Sequence, residues 1–109
     1  MASGDSSITQ IGAGLFKAYA FETITVADSV NQLDSGLIED TNGNAKRVVI
    51  TIQNGQMRYR YDGSDPTSGV GHLVNPFDVI EMQTTGNIKA LRLIRAGSTS
   101  AVISVTYER

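Results

Sequence analysis

From Arg47 to Tyr61 the chain alternates apolar and polar positions with a period of two. Val48, Ile50 and Ile52 share one side of a strand, and Arg47, Val49 and Thr51 share the other. After Asn54-Gly55, the residues Met57, Tyr59 and Tyr61 alternate with Gln56, Arg58 and Arg60. Asn-Gly is the pair that most readily takes the positive φ angles of a tight type I′ turn. The stretch therefore predicts a β-hairpin with Met57, Tyr59 and Tyr61 turned toward the core. A loop from Asp62 to Gly71 follows, in which Pro66 bars a central strand and Gly63, Gly69 and Gly71 permit sharp turns.

The flanking segments read as further strands. Ala18 to Ala27 is rich in β-formers, but its apolar set changes parity between Phe21 and Ile24, which predicts a bulge near Glu22-Thr23. Asp28-Ser29 turns the chain, and Val30 to Leu33 is a short strand or part of a connection. Asp34 to Asn44 is a loop anchored by Leu37 and Ile38. His72 to Val74 is a short strand or connection, Asn75-Pro76 begins a turn, and Phe77 to Gln83 is a strand. In Ile88 to Arg95 a helix competes, but the segment is shorter than a typical helix of about 11 residues and Leu91 and Leu93 alternate with Arg92, which favours a strand. Ala101 to Tyr107 alternates without a break. Seven or eight short strands separated by turn signals predict an all-β fold: a single antiparallel β-sandwich over residues 18–109, in a Greek-key or jelly-roll-like arrangement. The Trp and Cys pair of an immunoglobulin sandwich are missing.

Residues 1–17 are too polar and glycine-rich for a stable helix and read as an N-terminal arm. Such an arm is either a frayed terminus or a tether that orders on a partner, with Ile8, Ile11, Leu15 and Phe16 as its apolar contacts. No basic-then-apolar leader opens the chain, and no stretch approaches the roughly 20 apolar residues of a membrane span, so neither conventional export nor a membrane partner is expected. A net charge of −2 argues against a protein that coats nucleic acid. The acids crowd the first 45 residues and the bases the remainder. Folded, this leaves either two poles that orient an encounter or an interleaved surface.

Candidate chemistry is sparse. His72 is the single histidine, no Gly-x-Ser-x-Gly elbow accompanies it, and Gly12-Ala13-Gly14 lacks the third glycine and preceding strand of a phosphate loop. Asp62-Gly63-Ser64-Asp65 lacks the alternate carboxylates and later Glu of a calcium loop and reads as turn-forming. Nothing selects Glu81 and a second acid as a glycosidase pair. Neither an enzyme nor a cofactor or metal site is expected. Arg58 and Arg60 stand about 7 Å apart on one side of their strand. They either clamp a partner's carboxylates or phosphate or pair across the sheet with Asp78 or Glu81. Tyr59 and Tyr61 are either core or, if exposed, a platform for sugars or single-stranded nucleic acid. Residues placed to meet a partner are thus Arg58, Arg60, Asp62 and Asp65, with Ile8, Ile11, Leu15 and Phe16 in the arm.

The stretch RVVITIQNGQMRYRYDGSDPTSGVGHLV, followed by FDVIEM, LRLIR and a closing AVISVTYER, resembles small all-β virion proteins of tailed bacteriophages, including capsid decoration, or cement, proteins. The most specific part is the Tyr-x-Tyr-Asp-Gly-x-x-Pro-Thr-x-x-x-Gly pattern within Arg58 to Gly71. The resemblance spans residues 20–109 and leaves out the arm. It implies a jelly-roll-like fold and a non-enzymatic protein on the exterior of a virion, bound to the major capsid protein, bridging its subunits and commonly a dimer or trimer. Another phage structural part (a head-fibre base, head-tail connector or tail component) and a glycan-binding module are the alternatives.

Overall fold

A computed structural model describes residues 15–109. The alternating segments become strands because one side of each leaves water: Val48, Ile50 and Ile52, and Ala101, Ile103, Val105 and Tyr107, are all exposed by 1% or less. Burying each larger side chain is worth about 1.5–3 kcal/mol. In chain order the elements are β1 (Ala18–Val26), β2 (Asn31–Gln32), α1 (Ser35–Ile38), β3 (Glu39–Asp40), β4 (Gly43–Asn44), β5 (Arg47–Asn54), β6 (Met57–Arg60), β7 (His72–Val74), β8 (Val79–Gln83), α2 (Thr85–Ala90), β9 (Arg92–Arg95) and β10 (Ala101–Glu108). The expectation of a mostly antiparallel β fold holds. Three of the ten strands are only two residues long.

One four-stranded sheet has the order β1-β10-β5-β8, the other β2-β9-β6-β7, and β3 and β4 form a separate ribbon. The antiparallel pairs nest: β1 with β10, β2 with β9, β5 with β8, β6 with β7. Successive pairs fall in alternate sheets. The chain is thus one long antiparallel ribbon wound back and forth between two sheets. Both contribute to one core, with Ile50, Ile103 and Tyr107 from the first sheet, Met57 and Leu93 from the second, and Ile38 and Ile88 from the two short helices. Among the described residues no helix is long and apolar enough to cross a membrane.

Four local expectations are corrected. First, Asn54-Gly55 does not make a hairpin. β5 pairs with β10 and β8, while β6 pairs with β9 and β7. A type I′ turn needs positive φ at both central residues, and here Gly55 has φ 74° while Asn54 is not in that region. The chain turns a corner from one sheet to the other, and an ideal Cβ on Gly55 would lie 2.8 Å from the Ser100 carbonyl oxygen. Ile52 and Met57, expected in one ribbon, belong to different sheets around the shared core.

Second, the irregularity in β1 lies between Ala18 and Ala20, and the register from Ala20 to Val26 is unbroken. Phe21 consequently faces out, 63% exposed. The compensation is chemical, because Glu22 takes the inward parity and its carboxylate accepts the hydrogen bond of the buried Tyr107 hydroxyl. Third, Thr85–Ala90 is helical, and the strand expected from Ile88 begins only at Arg92. A helical turn lets both Ile88 and Leu91 reach the core at zero exposure, which their spacing of three would forbid in a strand. Fourth, β6 ends at Arg60, so Tyr61 lies past the strand and is 43% exposed, while Tyr59 packs at the margin of the core.

Candidate functional site

Alternation in β6 sends Met57 inward and Arg58 and Arg60 outward, and the same alternation in β9 sends Leu93 inward and Arg92 outward opposite Arg60. These outward arginines hold the 61–71 loop against the outer side of the second sheet. Arg58 donates from Nε to the Ser68 carbonyl at 3.0 Å and from Nη1 to the Gly71 carbonyl at 2.9 Å. Arg60 makes a two-pronged contact with Asp62, Nε to Oδ1 at 3.1 Å and Nη2 to Oδ2 at 2.6 Å. Arg92 Nη1 donates to Asp65 Oδ1 at 3.0 Å and to the Gly63 carbonyl at 3.1 Å. Planar guanidinium forks suit this role, since one side chain can satisfy two oxygens in fixed directions.

Local chemistry shapes the loop for that grip. Pro66 is buried, whereas its neighbours in the loop are exposed. Gly71 has φ 133°, and a Cβ there would come within 3.2 Å of both Pro66 Cβ and Arg58 Cβ, so glycine lets the chain close over the proline. Thr67 and Val70 pair through two backbone hydrogen bonds of 2.9 and 3.2 Å, making a tight turn at the far end. The hydrogen bond from Arg60 holds the Asp62 carboxyl down to about 2, and Asp62 in turn raises Arg60.

The structure therefore brings Arg58, Arg60, Asp62 and Asp65 together, and it reassigns the two arginines. Glu81 is engaged by Arg47, whose Nε lies 2.9 Å away, and the Asp78 carboxylate accepts from the Asn75 backbone N–H at 2.7 Å. Arg58 and Arg60 hold their own chain. The arm residues Ile8 and Ile11 lie outside the described residues. Leu15 is 81% exposed. The Phe16 ring is 5.9 Å from the Arg47 guanidinium carbon, and Lys17 exchanges two 3.0 Å backbone hydrogen bonds with Arg109.

Two features escape the sequence reading. Arg92 completes the clamp, and its signal was present, since Leu91 and Leu93 inward force Arg92 to the side of Arg58 and Arg60. Phe77 is the other. Ile80 and Met82 are buried, so the same period of two sends Val79 outward, while Phe77 sits in the turn that precedes β8, 88% exposed with φ 75°. A left-handed backbone at a bulky residue costs on the order of 1–3 kcal/mol.

Tyr59, Tyr61 and His72 form a cluster at the margin of the core, with Tyr59 and Tyr61 stacked at 6.3 Å and His72 5.1 Å from Tyr59. Burial raises the Tyr59 hydroxyl above its usual range. An open groove of about 540 Å³ runs between the loop residues Pro66–Ser68 and the turn after β9. Among the described residues no group of three or more His, Asp or Glu side chains is placed to hold a metal ion. No protein-family model and no curated protein matches the chain.

Proposed function

We propose that the chain is a structural docking module of a bacteriophage virion, a decoration protein that sits on the exterior of the capsid and bridges copies of the major capsid protein without catalysing a reaction. The observation that carries this reading is the loop clamped by Arg58, Arg60 and Arg92, which holds Asp62 and Asp65 as a preformed surface. Preorganisation matters for such a task because ordering a loop on binding would subtract from each contact. A shell repeats weak contacts by symmetry, and avidity then multiplies them.

The nested strand pairs support a jelly-roll reading, an architecture found in viral capsid and lectin domains. The lectin half of that association gives a second reading, a glycan-binding module, favoured by the exposed edge of the Tyr61 and His72 rings. Tyr59 is partly withdrawn into the core and Tyr61 stacks on it, which leaves less open ring for a sugar than a free platform would.

Co-sedimentation separates the readings. Purified protein is mixed with expanded shells assembled from the capsid protein encoded nearest to it, and the shells are then heated. Saturable binding and a raised shell melting temperature are expected. Absence of binding to the shells, with retention on a glycan array, would replace this reading with the second one.

A further inference from the structure

Four strands end the two larger sheets, and they differ in length. β2 has two residues, β7 three and β8 five, whereas β1 has nine, about 30 Å of extended chain. Among the described residues all of its ladder bonds run to β10, so one side of its backbone presents unpaired N–H and C=O groups. Protein edges of this length are ordinarily blunted by a proline, a charge or a bulge. β1 has no proline, its irregularity is confined to Ala18–Ala20, and the register from there to Val26 is continuous. Its one charge is withdrawn: Glu22 lies on the inward side, where its carboxylate takes the Tyr107 hydroxyl and the Asp34 backbone N–H at 3.3 Å.

What the edge does show is apolar and hydroxyl-bearing. Phe21 is 63% exposed on the outer side, and Thr23 and Thr25 follow it there, also exposed. A ring on a sheet surface gains from an aromatic or β-branched neighbour across the ladder, and on the free side of β1 Phe21 has none among the described residues. The β-branched run Thr23–Val26 keeps the backbone extended ahead of any partner. Opposite charges stand beyond the two ends. Lys17 and Asp28 are both exposed, and neither makes an ion pair among the described residues.

We propose that β1 receives an extended segment of a foreign protein as a fifth strand of the first sheet: antiparallel, uncharged in its middle, basic at its amino end beside Asp28 and acidic at its carboxyl end beside Lys17. Backbone bonds give such an addition its affinity, and alternate side chains give it specificity. Antiparallel is the sense of every strand pair described, and it brings the amino end of the guest to the Asp28 end of β1. A second copy of β1 suits the edge less well. Aligning all nine residues with their own copy about a two-fold axis centres the pair on Glu22 and sets one carboxylate directly opposite the other. The edge belongs to the first sheet and the clamped loop to the outer side of the second, so the proposal stands whether or not the loop binds a capsid.

The probe is a synthetic peptide of nine residues, the length of β1, that begins with Lys, alternates Thr and Val, and ends with Glu. Titrated into the isotope-labelled full chain, it is expected to bind saturably with a dissociation constant below about 1 mM. Resonances of residues 17–28 should shift most, and the β1 amides that do not bond to β10 should become protected from exchange. The same peptide with two adjacent prolines at its centre should bind about tenfold more weakly or not at all, because one of the lost donors must face β1. Phe21→Ser should weaken binding several-fold and leave the melting temperature unchanged. Exchanging the Lys and Glu of the peptide should weaken its binding to wild type, and the Lys17→Glu/Asp28→Lys variant should prefer the exchanged peptide. No saturable binding, equal binding of the proline-containing peptide, or protection at β7 or β8 in place of β1 would overturn the proposal. So would β1 amides already protected before the peptide is added, a result that gives the edge to a second copy or to residues 1–14 of the same chain.

Discussion

Arg92 reaches Asp65 across 27 positions of sequence, and the same Nη1 also holds the Gly63 carbonyl. One side chain in β9 thereby fixes both ends of the loop's acidic turn. Its Nε is buried without a hydrogen-bond acceptor among the described residues, so the guanidinium is placed for the loop at some cost to itself.

Replacing Arg92 by Ala should release that turn without unfolding the sheets. Exposed ion pairs contribute about 0.2–1 kcal/mol, so the melting temperature should fall by only a few degrees. Amide hydrogen exchange of residues 62–71 should rise sharply while that of β5 and β10 stays protected. Global loss of protection would show that the loop is part of the fold's stability and not a surface laid upon it.

Gly55→Ala should be far more costly than Gly63→Ala. Both glycines have positive φ, 74° and 91°, so both substitutions carry backbone strain. The added Cβ meets nothing within 4 Å at Gly63, but at Gly55 it strikes the Ser100 carbonyl oxygen and the Ala101 Cα at 2.8 and 2.9 Å. The strain alone is on the order of 1 kcal/mol or more, and Gly55→Ala should exceed it severalfold in denaturant titration.

Tyr107→Phe should destabilise the chain by about 1–3 kcal/mol, the cost of leaving the partly buried Glu22 carboxylate with only the longer bond from the Asp34 backbone N–H at 3.3 Å. Burial first, and the neighbouring Glu22 second, raise the Tyr107 hydroxyl above its ordinary range. A raised value in the fold stabilises the protonated form. The contribution is therefore complete below the unfolded value of about 10 and is lost at higher pH. Alkaline unfolding should begin near there in wild type and be shallower in Tyr107→Phe.

At acid pH the sign reverses. Asp62, bonded by Arg60, and Asp40, bonded by Arg109 at 2.7 Å, both titrate below the usual carboxylate range. Their stabilisation is present above the unfolded value of about 4 and disappears as pH falls through the lower folded values. The chemical shift of the Asp62 carboxyl carbon should titrate near 2, and Arg60→Gln should move it back toward 4.

What was legible in the sequence were the faces of strands, and what was not were their partners. The alternation in Ala101–Tyr107 identified the most buried strand residue by residue, since a period of two needs no knowledge of the neighbour. Asn54-Gly55 misled because a turn signal reports local φ and not whether two apolar faces would rather oppose each other than lie side by side. Ile88 fits the Leu91–Leu93 alternation only if the backbone stays extended, and the helical turn Thr85–Ala90 changes the phase between them. At the site, the outward side of Arg58 and Arg60 was readable. That Arg58 binds carbonyls ten and thirteen residues onward was not, because those acceptors are backbone atoms with no mark in the sequence.

The central claim is that the clamped loop is a preformed docking surface. It is tested most directly by comparing wild type with the Arg58→Ala/Arg92→Ala double variant in quantitative co-sedimentation with expanded shells, at a temperature where both remain folded. Binding by wild type and a loss of about tenfold or more in the variant is the expected result. Equal binding by the two proteins would contradict the account.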